Sequence, residues 1–118
     1  MTDNDVNPTT LDDQAMLVDS VFDAAPVVPG KVGHHTVLSV GEARVIALSF
    51  DQGQQMKEHR SHHPLILQAL DGHVQVTAAG RTLDLRPGAL MYLPNALPHS
   101  VEALAPSRVI LTPIGIAP

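Results

Sequence analysis

Residues 64–85 have the sequence PLILQALDGHVQVTAAGRTLDL, in which short runs rich in apolar residues are separated by Asp71-Gly72 and Gly80-Arg81. Apolar and polar residues tend to alternate within these runs, and this is the pattern of a strand with one buried face. An Asp-Gly pair between two such runs favours a β-hairpin. The stretch therefore predicts consecutive β-strands.

The same pattern of short apolar-rich runs separated by turn residues continues from Gly30 towards the C-terminus. The further runs are HTVLSV, ARVIALSF, ALMYL, HSVEAL and SRVILTPI. Together with the first stretch they make about eight strands, at the even spacing that is typical of a sandwich or a small barrel. Leu, Val, Ile and Ala must build the core, because the chain has no Trp, one Tyr and two Phe. We expect an all-β domain.

Residues 10–25, TLDDQAMLVDSVFDAA, have a different pattern, with apolar residues at helical spacing. Thr10 is a candidate N-cap, and Asp12 and Asp13 would lie in the first turn. Pro26 and Pro29 end the helical pattern. We expect an acidic N-terminal segment with a short helix at residues 1–30, followed by a β-barrel domain at residues 31–118.

The formal net charge of −5 arises at the N-terminus, since six of the twelve acids precede Lys31, the first basic residue. From Lys31 onward there are six acids and seven bases, so the body of the chain is near neutral. Without a basic face, nucleic acid and membrane surfaces are not expected partners. The first residues lack the apolar stretch of a secretion signal, and no apolar run reaches the roughly 20 residues of a membrane span. We expect a cytoplasmic protein.

The first chemical motif lies around the histidine cluster HRSHHP at residues 59–64. Gly53-x5-His59, followed by Gly72, resembles the first motif of the cupin family, G-x5-H-x-H-x3-E-x6-G. His59 matches the first metal-ligand position of that motif. Ser61 stands at its second histidine position, and Leu65 at its glutamate position.

The second motif lies between Gly88 and His99. Gly88-x5-Pro94-x-Ala96-x2-His99 is similar to the second cupin motif, G-x5-P-x-G-x2-H-x3-N, with His99 at its ligand position. Ala96 replaces the inner glycine of the motif, and Ala103 replaces its asparagine. The glycines and Pro94 match best.

The resemblance covers about residues 35–112 and implies a small single-domain cupin of the RmlC-like type. The fold would then be a cupin double-stranded β-helix, or jelly-roll barrel, with a short N-terminal helix. The resemblance also implies a homodimer, since cupins often pair through barrel edges. The segment SRVILTPIGIAP, residues 107–118, is expected at or near that interface.

His62 and His63 are candidates to replace the two lost ligands. In an extended strand His59, Ser61, His63 and Leu65 share one face, which favours His63. A β-bulge before Pro64 would instead turn His62 inwards. The two alternatives stay open.

The candidate metal ligands are therefore His59, His62, His63 and His99. Because the chain has no cysteine, any metal must be held by His, carboxylate or amide groups, and a site of imidazoles suits Zn, Ni, Cu or Fe(II) better than Mg or Ca. On strand parity with His59, Gln68 points away from such a site. The opposing interpretation is that these histidines are solvated loop residues without metal. Surface or dimer contacts explain His34, His35 and His73.

Alternate residues of PLILQAL and ALMYL are expected to line an apolar pocket for a small molecule. The candidate lining residues are Leu65, Leu67, Gln68, Met91 and Tyr92. A leucine at the family's acid position favours an apolar or aromatic ligand.

The sequence leaves two candidate functions. One is a metal-dependent oxygenase or isomerase, and the other is a non-catalytic binding or sensing barrel without an essential metal. No serine-hydrolase elbow and no nucleotide-binding motif is present.

Overall fold

The structure is a computed structural model that describes residues 8–115. Across these residues, no helix combines the length and the apolar character that crossing a membrane requires. The elements are β1 (Thr9–Thr10), β2 (Met16–Leu17), α1 (Val21–Ala24), β3 (Val32–Val40), β4 (Ala43–Phe50), β5 (Gln55–His59), β6 (Leu65–Asp71), β7 (Val74–Ala78), β8 (Arg81–Leu85), β9 (Leu90–Leu93), β10 (His99–Ala103) and β11 (Ser107–Pro113).

Two antiparallel sheets form the body of the molecule. One has five strands in the order β3-β4-β11-β6-β9, and the other has four in the order β5-β10-β7-β8. Alternate residues of these strands form one buried apolar cluster, whose largest fully buried side chains include Phe50, Leu93 and Val74. This arrangement is a jelly roll, and it confirms the predicted all-β class.

The eight predicted strands are all present, but the sequence pattern did not reveal β5. This strand, QMKEH, is mostly exposed, and only Met56 packs against the core. A strand that buries one side chain has no period-two apolar pattern, so hydrophobicity does not reveal it.

The hairpin predicted at Asp71-Gly72 is wrong. The chain turns there, with Gly72 at a φ of 75°, but β6 lies in the five-stranded sheet and β7 in the four-stranded sheet. A Cβ atom on Gly72 would collide with the Ser107 side chain and the Pro106 carbonyl. The glycine is therefore needed where the chain crosses between sheets against the start of β11. A hairpin does join β7 to β8 through Ala79 and Gly80, whose φ values of 51° and 74° match a type I′ turn.

The helix is much shorter than the predicted span of residues 10–25. It begins after Ser20, whose Oγ accepts a hydrogen bond from the Asp23 amide at 3.2 Å. Before it, Asp13 Oδ1 accepts from the Ala15 amide at 3.1 Å, and Gln14 has a φ of 72°. Such side-chain bonds to nearby backbone compete with the helix, so β1 and β2 form instead. Asp3 and Asp5 of the acidic segment lie outside the described residues.

The N-terminal segment covers part of the outer face of the five-stranded sheet. Ala24 and Ala25 pack there against Val37 and Ala47. Arg108 on β11 holds the segment in place. Its Nε donates to the Ala25 carbonyl at 2.8 Å, and its guanidinium carbon lies 5.3 Å from the centre of the Phe22 ring. Residues 21–25 are therefore part of the folded unit.

The segment expected at the dimer interface forms β11 as far as Pro113. This strand pairs with β4 on one side and β6 on the other, so its backbone is already used within the chain. The edges of the sheet are β3 and β9, and Leu90 and Tyr92 on β9 are exposed. Residues 116–118 lie outside the described part of the chain. The homodimer stays a prediction.

Candidate metal centre and ligand cavity

The structure brings together the two histidines that match the cupin motifs. His59 on β5 and His99 on β10 are paired across the antiparallel ladder, and their ring centroids lie 4.4 Å apart at an interplanar angle of 63°. His99 is buried, with 3% of its surface exposed, whereas His59 is exposed. One ring of the pair therefore lies in the buried interior of the barrel, and the other lies at its surface.

A β-bulge in β5 sets the direction of His59. His99 pairs with His59 but Val101 pairs with Met56, so Lys57 and Glu58 of β5 oppose the single residue Ser100 of β10. Met56 and His59 both line one cavity, although residues three apart in a regular strand point to opposite faces. A bulge before Pro64 was one of the two alternatives considered from the sequence, and the bulge in β5 lies earlier in the chain, before His59.

Hydrogen bonds fix the orientation of both imidazoles. The Nδ1 atom of His59 donates to the Lys57 carbonyl at 2.8 Å, and that of His99 donates to the Leu97 carbonyl at 3.0 Å. A carbonyl oxygen only accepts hydrogen bonds, so Nδ1 carries the proton in each ring. In the neutral rings both Nε2 lone pairs are then left for a metal or a ligand.

His62 and His63 lie in the loop that follows β5, which ends at His59. The alternation that favoured His63 needs an extended strand and therefore does not apply, and both side chains line the same cavity as His59. Within residues 8–115, no three His, Cys, Asp or Glu side chains are grouped as a metal site. The choice between His62 and His63 stays open.

The cavity beside the histidines has a volume of about 330 Å³. Its apolar wall is built by Ile46, Leu48, Met56, Leu65, Leu111 and Pro113. Its polar side is built by His34, Arg44, His59, Arg60, Ser61, His62 and His63. No acidic side chain is among these lining residues, so the site has basic and apolar chemistry.

Of the five side chains predicted to line the pocket, Leu65 alone does so. Leu67 belongs to the buried core, and Met91 packs against that core. Gln68 and Tyr92 are exposed. The cavity lies on the side of β4 and β5, away from the β9 edge, because Ile46 and Leu48 of β4 form its wall.

Most of the lining residues were not among the predicted site residues, and two polar ones among these, His34 and Arg44, lie on strands before the first motif. Arg44 could have been found, since it alternates along β4 with Ile46 and Leu48, which face inwards. His34, on β3, lies opposite Leu48 of β4, and only the pairing of these two strands reveals that it is near the cavity.

His73, for which a surface or dimer contact was expected, bonds within the chain and away from the cavity. Its Nε2 lies 2.7 Å from Asp84 Oδ1, and Gln75 donates to the same oxygen at 3.2 Å. The hydrogen bond from His73 and then that from Gln75 hold the pKa of the exposed Asp84 carboxyl below its ordinary value. His73 therefore serves as a control for the cavity histidines.

The loop of the second motif is tied to the histidine cluster. The Ala96 amide donates to the Ser61 carbonyl at 2.8 Å, and Arg60 Nη1 donates to the Ala96 carbonyl at 2.9 Å. Ala96 has a φ of 65°, at the position where the cupin motif has glycine. The missing glycine is thus replaced by an alanine in the left-handed conformation.

We expect Ala96→Gly to raise the free energy of unfolding by about 0.5 kcal/mol. A Cβ atom in the left-handed region costs about 1–2 kcal/mol, and the greater flexibility of glycine in the unfolded chain offsets part of that gain. Urea unfolding monitored by circular dichroism measures the change. Ala43→Gly in β4 is the control and should lower stability, since Ala43 is not among the residues with positive φ. A loss of stability in both variants would contradict this interpretation.

Comparisons with known proteins address the fold. No protein-family model matches the chain, and no curated protein matches it. Among solved structures, a conserved protein of unknown function from Streptococcus pyogenes matches with a TM-score of 0.75 and 17% identity, over 96% of each chain. A cupin superfamily protein from Desulfitobacterium hafniense matches with a TM-score of 0.71 and 14% identity, over 80% of this chain and 85% of that one.

KdgF from Halomonas sp. matches with a TM-score of 0.65 and 27% identity, over 73% of this chain and 81% of that one. RmlC-like cupins from other bacteria match as well. These likenesses agree with the two sequence motifs and with the two-sheet jelly roll. The chain therefore has the fold of the small RmlC-like cupins.

Proposed function

We propose that the protein is a small-molecule-binding cupin that holds a divalent transition metal at His59 and His99. The observation that carries this proposal is the pair of imidazoles with both Nδ1 atoms bonded to carbonyls. Metal-binding histidines in proteins almost always donate their second ring N–H to a carbonyl, a carboxylate or water, which fixes the ring for binding. Both rings of the pair therefore already have the second hydrogen bond that metal-binding histidines usually have.

The donor set favours the softer divalent ions. Of the two imidazoles, His59 lines the cavity and His99 is buried beside His59. A set of imidazole donors, with no carboxylate among the cavity-lining residues of the 8–115 segment, suits Zn, Ni, Cu or Fe(II) and does not suit Mg or Ca. His62 or His63 would supply a third ligand through a change in the loop after β5. When bound, such an ion acts as a Lewis acid towards a ligand oxygen. Oxygenase or isomerase chemistry on a small molecule is the activity that this arrangement would serve.

A second candidate is a binding or sensing barrel without an essential metal. It is favoured because no acidic side chain of residues 8–115 lines the cavity, so this part of the chain offers no carboxylate there as a general base. It is also favoured by the lack of a third assembled ligand within residues 8–115. In this alternative the histidines would contact the ligand directly.

Elemental analysis of protein purified without a histidine tag separates the two candidates. We expect near-stoichiometric transition metal in the wild type, and roughly a tenfold or greater loss in His59→Ala and His99→Ala. His59 is exposed, so its variant should fold even if truncation of the buried His99 unfolds the barrel. His73→Ala is the matched control and should retain the metal. A folded wild type that carries no metal and takes up none in titration would support the metal-free barrel.

A further inference from the structure

The mouth of the cavity carries positive charge in a protein that is acidic overall. Arg44 and Arg60 line it together with His34, His62 and His63, and none of the lining side chains from the described part of the chain is acidic. The whole chain has a formal net charge of −5. The local sign is thus opposite to the net charge, which makes this surface a candidate for an anion.

The two guanidinium groups have N–H donors that are not used in hydrogen bonds within residues 8–115. Arg60 donates one N–H to the Ala96 carbonyl. An arginine has five N–H donors, so four remain. Arg44 is exposed, and among the described residues it has neither a hydrogen bond nor an ion pair. Elsewhere in residues 8–115 the ion pairs are Arg108–Asp71 and His73–Asp84. The charge at the mouth is therefore not neutralised by this part of the chain.

The inner wall has the opposite chemistry. Ile46, Leu48, Leu65 and Leu111 form it, and Ile46, Leu48 and Leu65 belong to the buried core. A cavity of about 330 Å³ is large enough for a molecule of modest size. Apolar surface of the ligand would be buried against these side chains, and this would supply most of the affinity.

From this arrangement we propose that the ligand is a small monocarboxylate with an apolar body, bound with its carboxylate at Arg44 and Arg60. Guanidinium groups match the planar carboxylate with two parallel N–H bonds. This inference rests on the proposed function in one respect, that the cavity is the ligand site. It does not require the metal, because the arginines act as the anion partners. The ligand is then apolar over most of its surface, as the sequence predicted, and carries one charged end.

NMR titration of the metal-free protein with hexanoate tests the proposal, with hexanamide as the neutral probe of the same shape. We expect hexanoate to bind at least about tenfold more tightly and to shift the methyl resonances of Ile46, Leu48 and Leu111. Arg44→Gln should weaken hexanoate binding about fivefold and change hexanamide binding little, since the neutral amide lacks the negative charge that pairs with the guanidinium. Arg81→Gln, on exposed β8 outside the cavity, is the matched control and should change neither.

The outcomes separate this proposal from the metal centre. Tight hexanoate binding by a protein that never takes up metal would support the carboxylate site and overturn the proposed metal centre. Equal binding of the two probes, or no binding of hexanoate at millimolar concentration, would overturn the carboxylate site. Hexanoate binding that needs added zinc and does not change in Arg44→Gln would overturn it as well, since the carboxylate would then bind the ion.

Discussion

Gly72→Ala is expected to lower the free energy of unfolding by about 3 kcal/mol. The residue has a φ of 75°, where a Cβ atom costs about 1–2 kcal/mol. Its Cβ would also collide with the Ser107 side chain and the Pro106 carbonyl, and the Ser107 Cα atom would lie 2.7 Å away. Overpacking of this kind typically costs about 1–3 kcal/mol, and here two of the three clashing groups are backbone that cannot rotate aside.

Gly80→Ala is the matched control for this prediction. Gly80 has almost the same backbone conformation, with a φ of 74°, but a Cβ atom there would meet no atom within 4 Å. Its substitution should therefore cost only the conformational part, about 1 kcal/mol. Urea denaturation of the two variants gives both values. Equal losses would mean that the close approach at the crossing between the two sheets is not tight.

Arg108→Ala is expected to destabilise the protein by about 3 kcal/mol. The side chain is largely buried, and it donates at 2.6 Å to Asp71 Oδ2 and at 2.8 Å to the Ala25 carbonyl. The other carboxylate oxygen, Asp71 Oδ1, is buried without a hydrogen-bond partner. Removing the arginine would leave this carboxylate unpaired. The loss of one partner from a buried ion pair typically costs about 3–5 kcal/mol, and the lower end of that range applies here because the Asp71 side chain is 35% exposed.

A double-mutant cycle tests whether the carboxylate causes the loss. Asp71→Ala combined with Arg108→Ala should be clearly less destabilising than the sum of the two single variants. Arg81→Ala on exposed β8 should change stability by less than about 0.5 kcal/mol. Additive losses would indicate that the arginine acts only through the Ala25 carbonyl and the Phe22 ring. The N-terminal segment would then be its main partner.

The strands of the barrel could be predicted because most of them bury alternate side chains. The β7 run HVQVTAA is an example, since Val74, Val76 and Ala78 are buried and the residues between them are not. The exposed β5 strand could not be predicted in this way. At Asp71-Gly72 the local turn pattern was correct, but the strand partners were not. Turn chemistry describes a few residues, whereas the sheet that a strand joins depends on distant contacts.

The candidate site could be predicted in part. Motif spacing pointed to His59 and His99, which form the observed pair. The bulge in β5 and the hydrogen bonds from the two Nδ1 atoms depend on strand register, which one sequence does not reveal. The alternation of side chains was considered for β6 and β9, and it therefore pointed to a pocket near β9. The observed cavity is lined by residues of β4. Arg44 was overlooked for the same reason.

Long-range ¹H–¹⁵N NMR of the imidazoles tests most directly whether His59 and His99 present two free Nε2 atoms to one ion. At alkaline pH, without metal, we predict that both rings are neutral and carry their proton on Nδ1. One equivalent of Zn²⁺ should then shift both Nε2 resonances together and leave His73 unchanged. Protons on Nε2 in the free protein, or zinc that perturbs neither ring, would contradict the proposed metal centre.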